Sequence, residues 1–410
     1  MKLLHTSDWH LGQSFFTKTR KDEHQAFINW LLQQVRSEQV DAVIIAGDIF
    51  DTGTPPSYAR ELYNYFVVEL QKLNCSLLVL GGNHDAVAVL NESRQLLACL
   101  NTYVVASTDL PLSEQVLLLP DKSGAVGAIV CAVPFIRAKD VLQSTAGASG
   151  LEKRQALGDA ITAHYQQLFQ LAVKTRQQQQ LEVPIIATGH LTALGVSQSE
   201  SVRDIYIGTL DGFAAEGFPP ADYIALGHIH RPQKVAKTEH IRYSGSPIPL
   251  SFDELNTEKQ VVLVEFTGRE CQQIRPIAVP LFQPMQVLRG DLATLTTAIP
   301  QVAAAHPEHS VWLCLEVATE DYLPDLQQRV QNLVADLNVD VLQLRRLRNP
   351  KRQALTAEQQ ETLAELTPQQ VFAKRLQMED FDDEAAQARL SRIQQHFDQL
   401  LLELELERKA

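Results

Sequence analysis

The stretch SLLVLGGNHDA, residues 76–86, joins a short apolar run to two glycines and then to Asn83, His84 and Asp85. A run of that length bounded by turn residues predicts a buried strand. The polar trio follows the glycines, so it stands over the strand's C-terminal edge, where open α/β sheets bind their ligands.

Working outward, KLLHTS and DAVIIAG also predict buried strands, and the segment between them carries Phe27, Trp30, Leu31 and Val35 at helical spacing. A second helix is expected over residues 56–73, giving a βαβαβ order and a parallel sheet covered by helices. That helix has Leu62, Tyr63, Tyr65, Phe66, Val67, Val68 and Leu70 nearly all round it. It is either deeply buried or turned outward onto a second copy of the chain, and Leu62 and Phe66 are then the residues to test for a homodimer surface. Further on, VLLLP and AIVCAVP predict strands, residues 151–180 a long polar helix, and VPIIATGH and DYIALGHIH two more strands. Residues 240–266 read as antiparallel strands. From about 280 a smaller βαβαβ-like pattern begins, and from 348 the chain is helical and charged. The expected division is 1–279, 280–347 and 348–410.

The bulk numbers exclude some classes. With 410 residues, 45% hydrophobic and 21% charged, the chain is of ordinary globular composition. No window approaches 18 uninterrupted apolar residues, so no membrane span is expected. The opening MKLLHTSDWHLG has no apolar signal core, and the five cysteines show no CxxC pair. Buried free thiols and a cytoplasmic location are expected. A net charge of −13 counts against unaided tight binding of nucleic acid.

Five strand-end turns then stand side by side: Asp8-Trp9-His10, Gly47-Asp48 with Asp51 nearby, Gly81 to Asp85, Gly189-His190, and Gly227 to His230. They hold five of the twelve histidines. Asp8, His10, Asp48, Asn83, His190, His228 and His230 are all metal ligands by type. The mixture of carboxylate, imidazole and amide oxygen without thiolate suits manganese, iron or zinc in a reactive site. Seven ligands exceed one ion's needs but serve two if a carboxylate bridges.

DxH, GDxxD, GNHD, GH and GHxH in this order resemble the calcineurin-like metallophosphoesterases. Within that superfamily HTSDWHLG, GDIFDTG, VRDIYIGTLD and YSGSPIPLSF are similar to the D subunits of bacterial SbcCD-type repair nucleases. The resemblance implies a four-layer αββα sandwich with a small α/β cap domain and a helical C-terminal tail. It implies one ion on Asp8, His10 and His230, a second on Asn83, His190 and His228, and Asp48 bridging them, with manganese expected. It also implies that His84 protonates the leaving oxygen or steadies the phosphate, with Asp85 orienting it and Asp51 supporting the cluster. The reaction implied is in-line attack of an activated water on a phosphodiester, without a covalent intermediate. Exonuclease action on duplex ends and endonuclease action on hairpins or single strands would follow.

Other features bear on substrate and partners. Phosphoprotein phosphatases carry an arginine just after GDxxD, where this chain has Thr52, which disfavours a phosphomonoester. Arg203 and Tyr206 lie in a loop between two metal turns, with DNA contact and plain packing both open. The run RRLRNPKR, residues 345–352, is a solvated hinge or a phosphate-tracking strip. Ala386, Leu390, Ile393, Phe397, Leu400 and Leu404 form a heptad seam, which the resemblance assigns to the coiled-coil base of an SbcC-type ATPase. No GxxxxGK[ST] loop occurs, so any ATP dependence belongs to such a partner. A small-molecule phosphodiesterase and a non-catalytic scaffold of the same fold are the alternatives.

Overall fold

A computed structural model describes residues 1–141, 150–202, 212–318 and 325–347, together with 392, 393 and 397. Two six-stranded sheets dominate. The first has the order Glu270–Ala278, Gln260–Thr267, Lys2–Thr6, Ala42–Ile45, Ser76–Leu80, Thr102–Val105. Its last four strands run parallel, and Gln260–Thr267 joins Lys2–Thr6 antiparallel. The second has the order Gln233–Lys234, Ile241–Tyr243, Tyr223–Gly227, Ile185–His190, Val126–Cys131, Val116–Pro120. Ile241–Tyr243 lies parallel to Tyr223–Gly227 but antiparallel to Gln233–Lys234, and Gln260–Thr267 pairs antiparallel in the first sheet, so the antiparallel strands expected over 240–266 are divided between the two sheets.

The central strands are apolar on both faces because each face meets a different core. Leu4, Val43, Ile45, Leu77 and Val79 pack under the helices Lys21–Ser37 and Ser57–Lys72. Their neighbours Leu3, Ala42, Ile44, Leu78 and Leu80 meet Ala128, Val130, Ile186 and Ala225 of the second sheet. The far face of that sheet is covered by the helix Gly150–Gln178 through Leu157, Ile161, Tyr165 and Leu168. The layers are therefore helix, sheet, sheet, helix, as the resemblance implies.

Helix Ser57–Lys72 resolves the question of its apolar surround. Leu62 and Phe66 are buried in the intramolecular core, so they are not surface residues. Tyr65 and Val68 alone of the seven apolar residues are strongly exposed. Three cysteines are buried as expected, but Cys99 and Cys271 are exposed, because a helix end and an edge strand leave one side open.

Met285–Gly290, Val311–Ala318 and Val339–Leu347 form a third sheet, backed by the helices Leu292–Ala305 and Leu326–Val334. Its other face sits on Phe15 and Phe252 through Met285, Trp312 and Cys314. Trp312 stacks on Phe15 at 5.5 Å between ring centroids, with the Arg20 guanidinium 5.0 Å from the Phe15 ring. Lys18 adds a 2.7 Å ion pair to Asp340. Met1–Arg346 is one compact unit and Leu347–Ala410 a second. The proposed boundary at 279/280 thus falls inside the first unit. The helical tail from 348 and its heptad seam lie outside the described residues, apart from isolated positions. Among the described residues no helix is long and apolar enough to cross a membrane.

Candidate metal centre

The turn after the first strand shows how local sequence aims a ligand pair. Trp9 is fully buried between Phe27 and Phe66, edge-on to both at 5.3 and 5.0 Å, and its Nε1 donates to Thr6 Oγ1. With Trp9 driven into the core, its neighbours Asp8 and His10 are directed to the opposite side. Both take left-handed backbone angles (φ 55° and 47°), as do Asp48 (52°) and His228 (93°). Such angles cost roughly 1–3 kcal/mol each for residues with side chains and gather at functional sites.

Two glycines make the crowding possible. A Cβ on Gly82 would lie 2.1 Å from Asp48 Oδ1 and 2.3 Å from Asp48 N, and one on Gly227 would lie 1.9 Å from Ala46 O. The two sheets are thereby sewn together at their C-terminal edges. Gly82→Ala should therefore cost about 3 kcal/mol of stability by overpacking and push Asp48 out of place. Denaturant unfolding reads the first effect, and metal content reads the second.

All seven candidate ligands meet at this seam. Asp8, His10 and His230 form one group able to hold a metal, and Asp48, His190 and His228 another. Asn83 Oδ1 lies 2.9 Å from His190 Nε2 and 3.1 Å from His228 Nδ1. Asp48 Oδ2 lies 3.2 Å from His190 Nε2 and 3.6 Å from His10 Nε2. That carboxylate oxygen is buried without a hydrogen-bond partner, as are His10 Nε2 and His228 Nε2. Buried polar atoms are normally satisfied, so Asp48 Oδ2 and His10 Nε2, orphaned and 3.6 Å apart, call for a cation between them.

The imidazoles are oriented from behind. His190 Nδ1 donates to Ala46 O at 2.8 Å and His10 Nδ1 to Asp51 Oδ1 at 3.0 Å, which turns Nε2 of each ring toward the site. His230 Nδ1 meets Ser201 Oγ at 2.6 Å, and Ser201 donates in turn to Glu254. His228 N and Ser7 Oγ both donate to Asp8.

Electrostatics follow this geometry. Burial opposes ionisation of Asp48, but His190, then His10, holds its carboxyl well below the usual range. Burial likewise opposes protonation of His190, but Asp48 raises the imidazole to about 9. Burial, aided by His190, drives His228 well below its usual value. A divalent ion held by His190 would need its ring neutral, so metal uptake there would be coupled to proton release.

His84 and Asp85 part company. His84 donates from its backbone N to Asp48 Oδ1 at 2.9 Å, and its Nδ1 lies 2.8 Å from Asp51 O. The Asp85 carboxylate accepts from the backbone N–H of Ile49, Phe50 and Gly82 at 2.9–3.2 Å. Asp85 therefore braces two metal turns against each other, and the expected role of orienting His84 falls to the Asp51 carbonyl. Burial, with Asp48 nearby, pushes the Asp85 carboxyl up to about 6. Arg203 and Tyr206 lie outside the described residues.

Sequence reading missed Glu254 and Lys259. Glu254 is fully buried, lies 3.3 Å from His230 Nδ1, and takes bonds from Ser199 Oγ, Ser246 Oγ and Leu250 N. Lys259 Nζ pairs with it at 2.5 Å. Burial works against ionisation of Glu254, but Lys259 and His230 hold its carboxyl well below the usual range. Glu254→Gln strands Lys259 in the interior and should cost about 3 kcal/mol, since breaking one side of a buried pair is strongly destabilising. Urea unfolding measures it, and a loss under about 1 kcal/mol, the worth of an ordinary neutral hydrogen bond, would count against an ionised pair. The only signal was SGSPIPLSFDE itself, whose serines and acids have no fixed spacing for any chemistry.

Comparison with known proteins places the chain in a family. The family model described as calcineurin-like phosphoesterase matches residues 1–232, and that described as type 5 capsule protein repressor C-terminal domain matches 281–380. The chain is 53% identical over 393 residues to the D subunit of the nuclease SbcCD from Escherichia coli K12, covering 96% of each chain. It is 33% identical to the protein of the same name from Rhodobacter capsulatus, covering 74% of this chain and 75% of the other. Against the Bacillus subtilis protein the figures are 29%, 79% and 80%. The chain belongs to the calcineurin-like phosphoesterases and, within them, to the family of SbcCD nuclease D subunits.

Proposed function

We propose that the chain is the nuclease subunit of an ATP-dependent SbcCD-type repair complex, hydrolysing DNA phosphodiesters with two divalent ions, manganese in preference. The observation that carries this reading is the orphaned Asp48 Oδ2 set between His10 and His190, the place of a bridging ligand. Asp8, His10 and His230 would hold one ion, and Asn83, His190 and His228 the other. When bound, such ions supply Lewis acidity, lowering the pKa of the attacking water and neutralising charge on the phosphoryl oxygens.

The remaining work falls to the chain. His84 lines the cavity beside the centre, and with Nδ1 engaged at Asp51 O its other ring nitrogen serves as acid for the leaving oxygen. Asp51 joins His10 and His84 so that ligand and acid move together. Asp85 fixes the turn that carries Asn83 and His84.

Duplex ends, hairpins and single strands are the proposed substrates, and the SbcC-type ATPase would dock on the C-terminal helices. The sheet Met285–Leu347 would act as a cap domain, seated by the Phe15–Trp312 stack. A homodimer would form through Tyr65 and Val68, the exposed apolar pair of helix Ser57–Lys72. Tyr65→Glu with Val68→Glu should halve the native mass of folded protein by light scattering, and an unchanged mass removes that surface. All seven ligands in converging positions disfavour a scaffold that has lost its chemistry.

The primary experiment is cleavage of an end-labelled hairpin duplex by the purified chain with manganese. Cleavage abolished by chelation and restored by added metal is the expected result. If the chain stays inactive even with its ATPase partner, the nuclease reading fails.

A further inference from the structure

The basic run at 345–352 begins inside the third sheet, and its first residue reaches the catalytic cavity. This cavity, of about 290 Å³, is lined on one side by His10, His84 and His230 and on the other by Gln343 and Arg345. Arg345 is forked onto Glu200, with NH2 2.6 Å from Oε2 and NH1 3.3 Å from Oε1. Gln343, with its amide turned to accept, takes bonds of 3.0 Å from Arg345 Nε and NH2.

We propose that Arg345 is a phosphate-gripping residue of the cavity mouth, and that Glu200 is an internal stand-in for the nucleic-acid phosphate which the substrate displaces. The inference rests on the nuclease reading above and names how that site selects a polyanion.

Three observations support it. A guanidinium fork that fits a carboxylate bidentately also fits two oxygens of a phosphodiester. Its charge is permanent, so exchange of Glu200 for phosphate needs no proton transfer. Arg345 and Glu200 have side chains 37% and 55% exposed. An exposed pair of that kind is worth less than a factor of about five in an equilibrium, so an incoming phosphate can replace it.

Both members are also anchored relative to the metal turns. Glu200 precedes Ser201, whose hydroxyl contacts His230 Nδ1 and Glu254, and its backbone N donates to Asp253 at 3.2 Å. Asp253 is itself neutralised by Arg231 at 2.7 Å. On the opposite side, Glu316 faces Arg345 but is paired with Arg289. Glu200 is thus the carboxylate that directly occupies the Arg345 fork. While it stays there, the cavity mouth presents no net positive charge. A polyanion long enough to reach from the metals to the third sheet frees the guanidinium. A small diester bound at the metals does not.

The test measures binding of a fluorescent hairpin duplex to the full chain, with calcium in place of manganese, as a function of salt. Arg345→Gln should weaken binding about tenfold and lower the slope of log K against log salt by about 0.9, the loss of one phosphate contact. Arg345→Lys should recover the slope but not all of the affinity, since a point charge lacks the fork. Glu200→Gln should tighten binding up to about fivefold, the most that an exposed pair is worth. The double variant should match Arg345→Gln alone. If Glu200→Gln tightens binding equally in the Arg345→Gln background, Glu200 merely repels DNA and the proposal is overturned. An unchanged slope in Arg345→Gln overturns it as well. If the wild-type chain hydrolyses bis(p-nitrophenyl) phosphate with manganese yet binds no duplex, the nucleic-acid reading fails and the inference falls with it.

Discussion

Asp48→Asn is expected to cleave a hairpin duplex on the order of 10³-fold more slowly than wild type while holding fewer than two manganese ions. The exchange keeps shape and volume, so the His84 N–H can still donate to the side chain. It removes the negative charge from the oxygen between His10 Nε2 and His190 Nε2. A bridging ligand serves both ions, so its loss withdraws several kcal/mol of transition-state stabilisation, and about 4 kcal/mol corresponds to 10³ in rate. Metal content by mass spectrometry and the rate under saturating manganese are the two readouts. Full activity with two ions bound would remove Asp48 from the bridging position.

The second large effect concerns His84. His84→Gln should lower kcat by roughly 10²–10³-fold, the usual worth of general acid catalysis, with metal content unchanged. The metal measurement matters because His10, Asp48 and His84 also lie close enough together to share an ion. Loss of metal along with activity would make His84 a ligand instead of an acid. Equal activity of variant and wild type would take it out of the chemistry altogether.

Much of this candidate site was legible along the chain because the residues that converge there are carried by local devices. A glycine or a short polar residue at the end of a parallel strand is recognisable in sequence. Asp8, Asp48, Asn83, His190 and the His228/His230 pair all occupy such places. The burial of Trp9 explains why DWH, with no glycine inside it, makes the same turn. The layer order came from the resemblance alone: strands such as SLLVL are apolar on both faces, which predicts burial without saying what covers each face.

Glu254 and Lys259 escaped detection for a physical reason. They act through His230, and their meaning depends on a neighbour 24 to 29 positions away that folds back only in three dimensions. Asp85 was assigned to the wrong partner because adjacency in sequence suggested His84, whereas its carboxylate turns to the backbone of Ile49 and Phe50. Leu62 and Phe66 looked like candidates for an interface because helical periodicity gives a face without saying what lies against it. Trp9 and the first sheet lie against it.

The sequence by itself therefore determined the strands, the turns and the candidate ligand types, all of which rest on contacts within a few residues. Only the tertiary structure decided how closely the candidate ligands converge, what orients each ring and how the third sheet meets the cavity. Those depend on two sheets joined at their C-terminal edges, as in the bond from His190 to Ala46. They also depend on pairings such as Arg345 with Glu200, 145 positions apart. Contacts across such separations are set by the packing of whole layers, which no local pattern of residues encodes.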